Sequence, residues 1–433
     1  MPIAMPDLGT RSTTARDTHG RQTLLMVLPR VPYPPHESGL GLRYFPVIAF
    51  LAQRHILDIM IVGDGVAEQA EPLRAYCRNL FIISNDRLEE HFWWEKWATW
   101  MDVLMPWTPP HYCLLHRSGR VSRDIRAQTQ GMNYDTLLCV GVSWHTPHIQ
   151  QISAKRVLID FVDSLTRFYA RNVGGATRSP FYRYEAWKAR RYEIKLLRQV
   201  TAGIYISQVD AQTLSPQQTG HAVRYALPNG ISVDTYLPAR HGGVTSPSIG
   251  FLGNMGYFPN VEAALWLYEE VFCPLRLLLP ALSLYVIGRD PNEAISALGK
   301  QEGVVVTGEV AQVWPHINAV DVFILPLWRG TGVKNKILEI LYAKRAVLTT
   351  PLANEGIDAV SGRDLILCDT APAFQKEALR LLQSAEGRAH LGESGHRWVT
   401  EHFSWDRILK GFEAVVTGAS DASHYQVHHG PSA

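Results

Sequence analysis

The densest run of chemistry-bearing residues spans Asp321 to Glu339 and reads Asp321-Val-Phe-Ile-Leu-Pro326-Leu-Trp-Arg329-Gly330-Thr331-Gly332-Val333-Lys334-Asn-Lys336-Ile-Leu-Glu339. Its apolar start reads as a buried strand, stopped by Pro326. Gly330 and Gly332 allow a tight turn, and with Thr331 and Val333 they offer backbone N–H groups that a ligand can approach closely. Lys334 and Lys336 place positive charge where a helix begins, a position that disfavours cations unless an anion sits opposite. Glu339 follows one turn after Lys336. A strand, a glycine loop, two lysines and one carboxylate suit a diphosphate joined to a hydroxyl-rich group. Two lysines two positions apart cannot point the same way on a regular helix. Lys334 is therefore assigned to the phosphate first, with Lys336 beside it or facing solvent and Arg329 as a further cation.

These residues need a framework. Ser248 to Leu252 reads as another strand, and Gly253 and Asn254 open the loop after it, either as a second wall of the site or as a plain turn. Strands at 282–288, 304–307 and 346–350 follow the same grammar, and Glu309 and Glu355 lie just past two of them. Earlier in the chain, apolar runs at 23–28, 57–62, 135–143 and 155–162 read as parallel strands. Gly39, Gly41 and Arg43 form a second glycine loop fit to approach a phosphate, with a helix from Tyr44 to Arg54; a tight turn is the plainer alternative. His145, His148 and Asp163 stand beyond strand ends, where ligands bind in such sheets, and are candidates for polarising a hydroxyl. A lone histidine is more often structural.

Composition narrows the classes. With 433 residues the chain suits two domains, and 46% hydrophobic with 19% charged residues describes a globular protein. A net charge of +2 gives no case for nucleic acid. Five scattered cysteines without metal-ligand spacing read as reduced thiols in a cytoplasmic protein. No apolar run reaches the ~20 residues that cross a bilayer. Residues 1–21 read as a disordered tail, 22–237 as the first domain, 238–247 as a linker, 248–403 as the second domain and 417–433 as a flexible tail. Trp93, Trp94, Trp97, Trp100 and Trp107 precede Arg117, Arg120, Arg123 and Arg126; this stretch either packs on the sheet or makes a peripheral membrane contact.

Four segments together resemble the GT4 family of bacterial glycosyltransferases: Gly250 to Asn260, Leu325 to Glu339, Thr349 to Ile357, and His402-Phe403-Ser404-Trp405-Asp406. The resemblance is strongest over 249–416 and continuous but weaker over 23–235. It implies two Rossmann-like α/β domains facing across a cleft, the GT-B fold, with the helix of 404–416 crossing back to the first domain. It implies a retaining transfer from a nucleotide sugar to a sugar or lipid-linked acceptor in glycan assembly, with no cofactor or metal. Glu339 then holds the nucleotide ribose. The family's companion glutamate, eight positions earlier, is Thr331 here, which departs from the pattern. Other acceptors, a nucleotide-sugar 2-epimerase and a non-catalytic sugar-nucleotide scaffold are the alternatives.

Overall fold

The computed structural model describes residues 20–35, 38–63, 67–84, 103–110, 119–142, 146–173, 180–231, 247–330 and 332–427. Those from Gly20 to Asn229, with those from Asp406 to Val427, form one compact unit, and those from Gly230 to Trp405 form the other. The expected linker lies almost wholly outside the described residues, as do Trp93, Trp94, Trp97, Trp100, Arg117, His145 and Thr331.

In the first unit β1 (Thr23–Leu28), β2 (Ile56–Gly63), β3 (Leu80–Ser84), β4 (Tyr134–Val140), β5 (Ala154–Val162), β6 (Ala202–Tyr205) and β7 (Val223–Ala226) make one sheet in the order 3-2-1-4-5-6-7. Every pairing is parallel. Parallel strands are covered on both faces, which is why Leu24 to Leu28 and Leu57 to Val62 are, Asp58 apart, all apolar, and why every one of them, Asp58 included, is fully buried. The short edge strands β3 and β7 have no clear signal in the sequence, because Arg224 and Tyr225 interrupt the apolar run of one and the other is only five residues long.

Helix α1 (Gly39–Arg54) corrects the reading of its start. Ser38 caps it by accepting a hydrogen bond from the Gly41 N–H at 3.0 Å, so Gly39 and Gly41 occupy the first helical turn and form no loop. A Cβ on Gly41 would stand 2.8 Å from the Pro35 carbonyl oxygen, so close packing accounts for that glycine. Helices α2 (Gly119–Thr129) and α3 (Pro180–Leu197) follow; Arg123 and Arg126 lie on the solvated face of α2.

The second unit repeats the design with β8 (Ser248–Leu252), β9 (Ser283–Ile287), β10 (Val304–Val306), β11 (Val322–Leu325), β12 (Ala346–Thr349) and β13 (Ile366–Leu367), ordered 10-9-8-11-12-13 and parallel throughout. Counted from its own first strand this is again 3-2-1-4-5-6. Helix α4 (Phe258–Trp266) follows the loop after β8 and runs on through a π-turn at Leu267–Phe272. Helices α5 (Asn335–Tyr342) and α6 (Ala385–Phe403) complete the parts that matter below.

After Trp405 the chain joins the first unit as α7 (Trp405–Thr417). The segment after it is not the flexible tail the sequence suggested, at least through Val427. Ser420–Tyr425 makes a 3₁₀ turn, Gln426 bridges Tyr225, and the Val427 N–H bonds to the Arg224 carbonyl at 2.9 Å. Among the described residues no helix is long and apolar enough to cross a membrane.

Candidate functional site

In a doubly wound sheet, ligands bind beyond the carboxyl ends of the strands where the order reverses. In the second unit that point lies between β8 and β11, and the two loops singled out in the sequence leave these two strands.

The β8 side is a tight turn. The Gly253 N–H bonds to the Ile287 carbonyl at 3.0 Å. Gly288 has φ +146°, and a Cβ there would fall 1.7 Å from the Gly253 carbonyl oxygen, so backbone meeting backbone holds position 288 to glycine. The Asn254 carboxamide oxygen accepts from the Gly256 N–H at 2.7 Å, and its main-chain carbonyl accepts from Asn260 Nδ2 at 2.7 Å. Asn254 thus shapes the turn. On the β11 side, Gly330 at φ +108° and Gly332 at φ +71° take the left-handed backbone that the glycine spacing implies. Val333 is buried and anchors the loop, and Lys334 occupies the N-cap position of α5.

The two lysines are placed differently. Lys334 Nζ folds back to the Gly332 carbonyl at 3.1 Å, within its own loop. Lys336 does not face solvent; it reaches across the order reversal, where Nζ donates to Asn260 Oδ1 at 2.6 Å and lies 5.2 Å from the centre of the Phe251 ring. Burial, reinforced by Lys334 and opposed by Glu339, lowers the Lys336 ammonium to about 7. Burial raises the Glu339 carboxyl to about 7 against the pull of Lys336. An ammonium and a carboxyl both poised near neutrality, beside a glycine loop, can meet an anion and accept a hydroxyl.

Other candidates settle elsewhere. Arg329 pairs with Glu262 on α4 at 3.2 Å and lies over Phe258, a half-exposed pair beside the loop. Glu355 caps the short helix Pro351–Asn354 at the carboxyl end of β12, one strand away, and is half-buried, whereas Glu309 is exposed. Arg43 is no phosphate ligand: it is 1% exposed and bonds to Asp160, to the Leu227 carbonyl and to Asn229. His148 is buried in the first unit with Nδ1 2.6 Å from Ser122 Oγ, a bond that ties its loop to α2. Asp163 stays half-buried just past β5. The residue that sequence reasoning left without a role is Asn260. Its only signal is a carboxamide in the first turn of a helix, next to Pro259.

Residues 246–384 match the family described as Glycosyl transferases group 1, a span that contains Gly253, Asn260, Lys334, Lys336 and Glu339. An uncharacterised glycosyltransferase of Methanocaldococcus jannaschii is 22% identical over 177 residues, which is 38% of this chain and 43% of that protein. An uncharacterised 44.6 kDa protein in the cps region of Klebsiella pneumoniae is 19% identical over 194 residues, 42% of this chain and 50% of that protein. The chain thus spans about half the length of the curated relatives it matches. The crystal structure of Anabaena HepE in complex with UDP and glucose matches 92% of this chain and 100% of that chain, with a TM-score of 0.58 at 12% identity. The two parallel-sheet units are those of the GT-B glycosyltransferase fold, and residues 246–384 of the second match the group 1 glycosyl transferases.

Proposed function

We propose that this protein is a retaining glycosyltransferase that moves a sugar from a nucleotide-sugar donor to an acceptor hydroxyl. The observation that carries the reading is the meeting of Lys336, Lys334 and Glu339 with two glycine-bearing loops at the order reversal of the second sheet. When the bond from the sugar's anomeric carbon to the diphosphate breaks, negative charge builds on the leaving phosphate oxygens. Lys336 and Lys334 stabilise that charge together with the N–H groups of the loop, and such preorganised electrostatic contacts are commonly the largest contribution to rate. Glu339, as a carboxylate, accepts hydrogen bonds from the ribose hydroxyls. In this scheme protein cations meet the diphosphate charge without a metal ion. The acceptor oxygen bonds to the anomeric carbon and releases its proton to a donor phosphate oxygen.

For the biological setting we propose cell-surface glycan or exopolysaccharide assembly at the cytoplasmic face of the membrane. Likeness to a protein of the Klebsiella pneumoniae cps region supports this. So do the exposed rings of Trp107, Phe181 and Trp187 in the first unit, alongside Arg191 and Lys195, a surface suited to a lipid-linked acceptor.

The test is consumption of UDP-, GDP-, ADP- and dTDP-sugars, with products identified by mass spectrometry and the anomeric configuration by NMR. The reading fails if no donor is consumed and neither Lys336→Ala nor Glu339→Ala changes nucleotide binding. An inverted product would remove the retaining mechanism alone.

A further inference from the structure

Asn260 is 6% exposed, yet both ends of its carboxamide are engaged. Nδ2 donates to the Asn254 carbonyl at 2.7 Å, and Oδ1 accepts from Lys336 Nζ at 2.6 Å. The first bond decides the second: with its NH₂ committed to the β8 turn, the carboxamide presents its oxygen towards α5. Lys336 is thereby drawn from α5 across to the β8 loop. A Cβ on Gly253 would stand 2.6 Å from Lys336 Nζ and 2.9 Å from Asn260 Nδ2, so the bare backbone at 253 leaves room for this bridge. The β8 loop from Gly253 to Asn260 contains no lysine or arginine of its own. The cation it lacks arrives from the other side of the order reversal.

We propose that Asn260 is the positioning residue for the diphosphate cation, holding the Lys336 ammonium against the Gly253 backbone and yielding it to the donor diphosphate on binding. This deepens the donor-site reading and rests on it. A carboxamide suits the task. It gives a half-buried ammonium one good acceptor, which limits the cost of removing it from water, yet it leaves the positive charge uncancelled. A carboxylate in its place would pair with Lys336 and compete with the incoming phosphate. The charged groups acting on Lys336 are Lys334 and Glu339, while β8 and α4 present the uncharged Phe251 and Asn260.

The experiment uses the full chain with Asn260→Ala, Asn260→Asp and Lys336→Ala. Whichever of UDP-, GDP-, ADP- and dTDP-glucose gives the largest thermal shift on the unaltered protein serves as probe, titrated from neutral to alkaline pH. Asn260→Ala is expected to lose about tenfold in affinity, as one well-placed hydrogen bond is lost. Asn260→Asp is expected to bind more weakly at neutral pH and to move the alkaline fall in affinity upward by about one pH unit, because a carboxylate retains the Lys336 proton. Unaltered affinity in Asn260→Ala, or an unmoved alkaline limb in Asn260→Asp while Lys336→Ala still weakens binding, overturns the proposal. Failure of both Asn260 variants to fold makes the residue a purely structural one and overturns it too. No binding of any probe, or no effect of Lys336→Ala, removes instead the donor-site reading beneath it.

Discussion

The Arg43 guanidinium lies 2.8 Å from the Asp160 carboxylate, with both side chains almost sealed from solvent inside the first unit. Arg43 also donates to the Leu227 carbonyl at 2.9 Å and to Asn229 Oδ1 at 3.0 Å, and stacks 5.0 Å from the centre of the Phe412 ring on α7. Burial works against its charge, but Asp160 outweighs that effect and holds the proton more tightly than usual. One side chain therefore fastens α1, β5, the segment after β7 and α7 to one another. Arg43→Ala leaves the Asp160 charge buried without its cation, although the Val162 N–H still donates to it, which costs about 3–5 kcal/mol. Urea titration is expected to show that loss. Unchanged stability with lost nucleotide binding would restore Arg43 as a phosphate ligand.

The two lysines should separate in binding assays. Lys336→Ala is expected to weaken nucleotide-sugar binding by about 10- to 100-fold, the range of a charge-assisted hydrogen bond. Lys334→Ala, whose side chain closes its own loop, is expected to do less. Isothermal titration of both variants checks the order, and a larger effect at Lys334 would contradict it.

The pH dependence of binding follows from two groups poised near neutrality. As pH rises through about 7, Lys336 loses its proton and the diphosphate loses a cation, so affinity falls. As pH drops through about 7, Glu339 takes up a proton and accepts hydroxyls less well, so affinity falls there too. With UDP-glucose, whose diphosphate keeps its charge through this range, the profile is expected to peak near neutrality. Lys336→Ala should abolish the alkaline limb and Glu339→Gln the acid limb.

Gly288 offers a purely steric test. At φ +146°, and with a Cβ falling 1.7 Å from the Gly253 carbonyl, Gly288→Ala must push the β8 turn away from β9. The expected result is lost nucleotide binding and a lowered melting temperature. Gly308→Ala, at φ +63° with nothing within 4 Å of its Cβ, should carry the backbone strain alone and retain binding.

Treatment with EDTA should leave the initial transfer rate unchanged, since the proposed scheme gives the diphosphate charge to Lys336, Lys334 and backbone amides. A rate that collapses and returns with magnesium would show that a metal shares the task.

Sequence alone was enough for the framework. Central strands β1, β2, β4 and β8 are apolar on both faces because both faces are covered, and that demand is written residue by residue. Positive φ at Gly330 and Gly332 was legible for a similar reason, since few other residues tolerate it. Edge strands were hard to read, as half their surface makes no demand on residue type. Gly39 and Gly41 misled because a glycine at a helix start and one in a loop look alike until Ser38 is seen to cap the turn.

What tertiary structure decided is partnership. Arg43 and Asp160 stand 117 positions apart, and Lys336 and Asn260 stand 76 apart. No local spacing can report such pairs, since they exist only once the sheet order has brought their elements together. The chain specified which residues carry charge and where its backbone turns. The fold determined that one arginine would be buried as a structural tie, and that one lysine would reach across the order reversal towards the place where a diphosphate is proposed to bind.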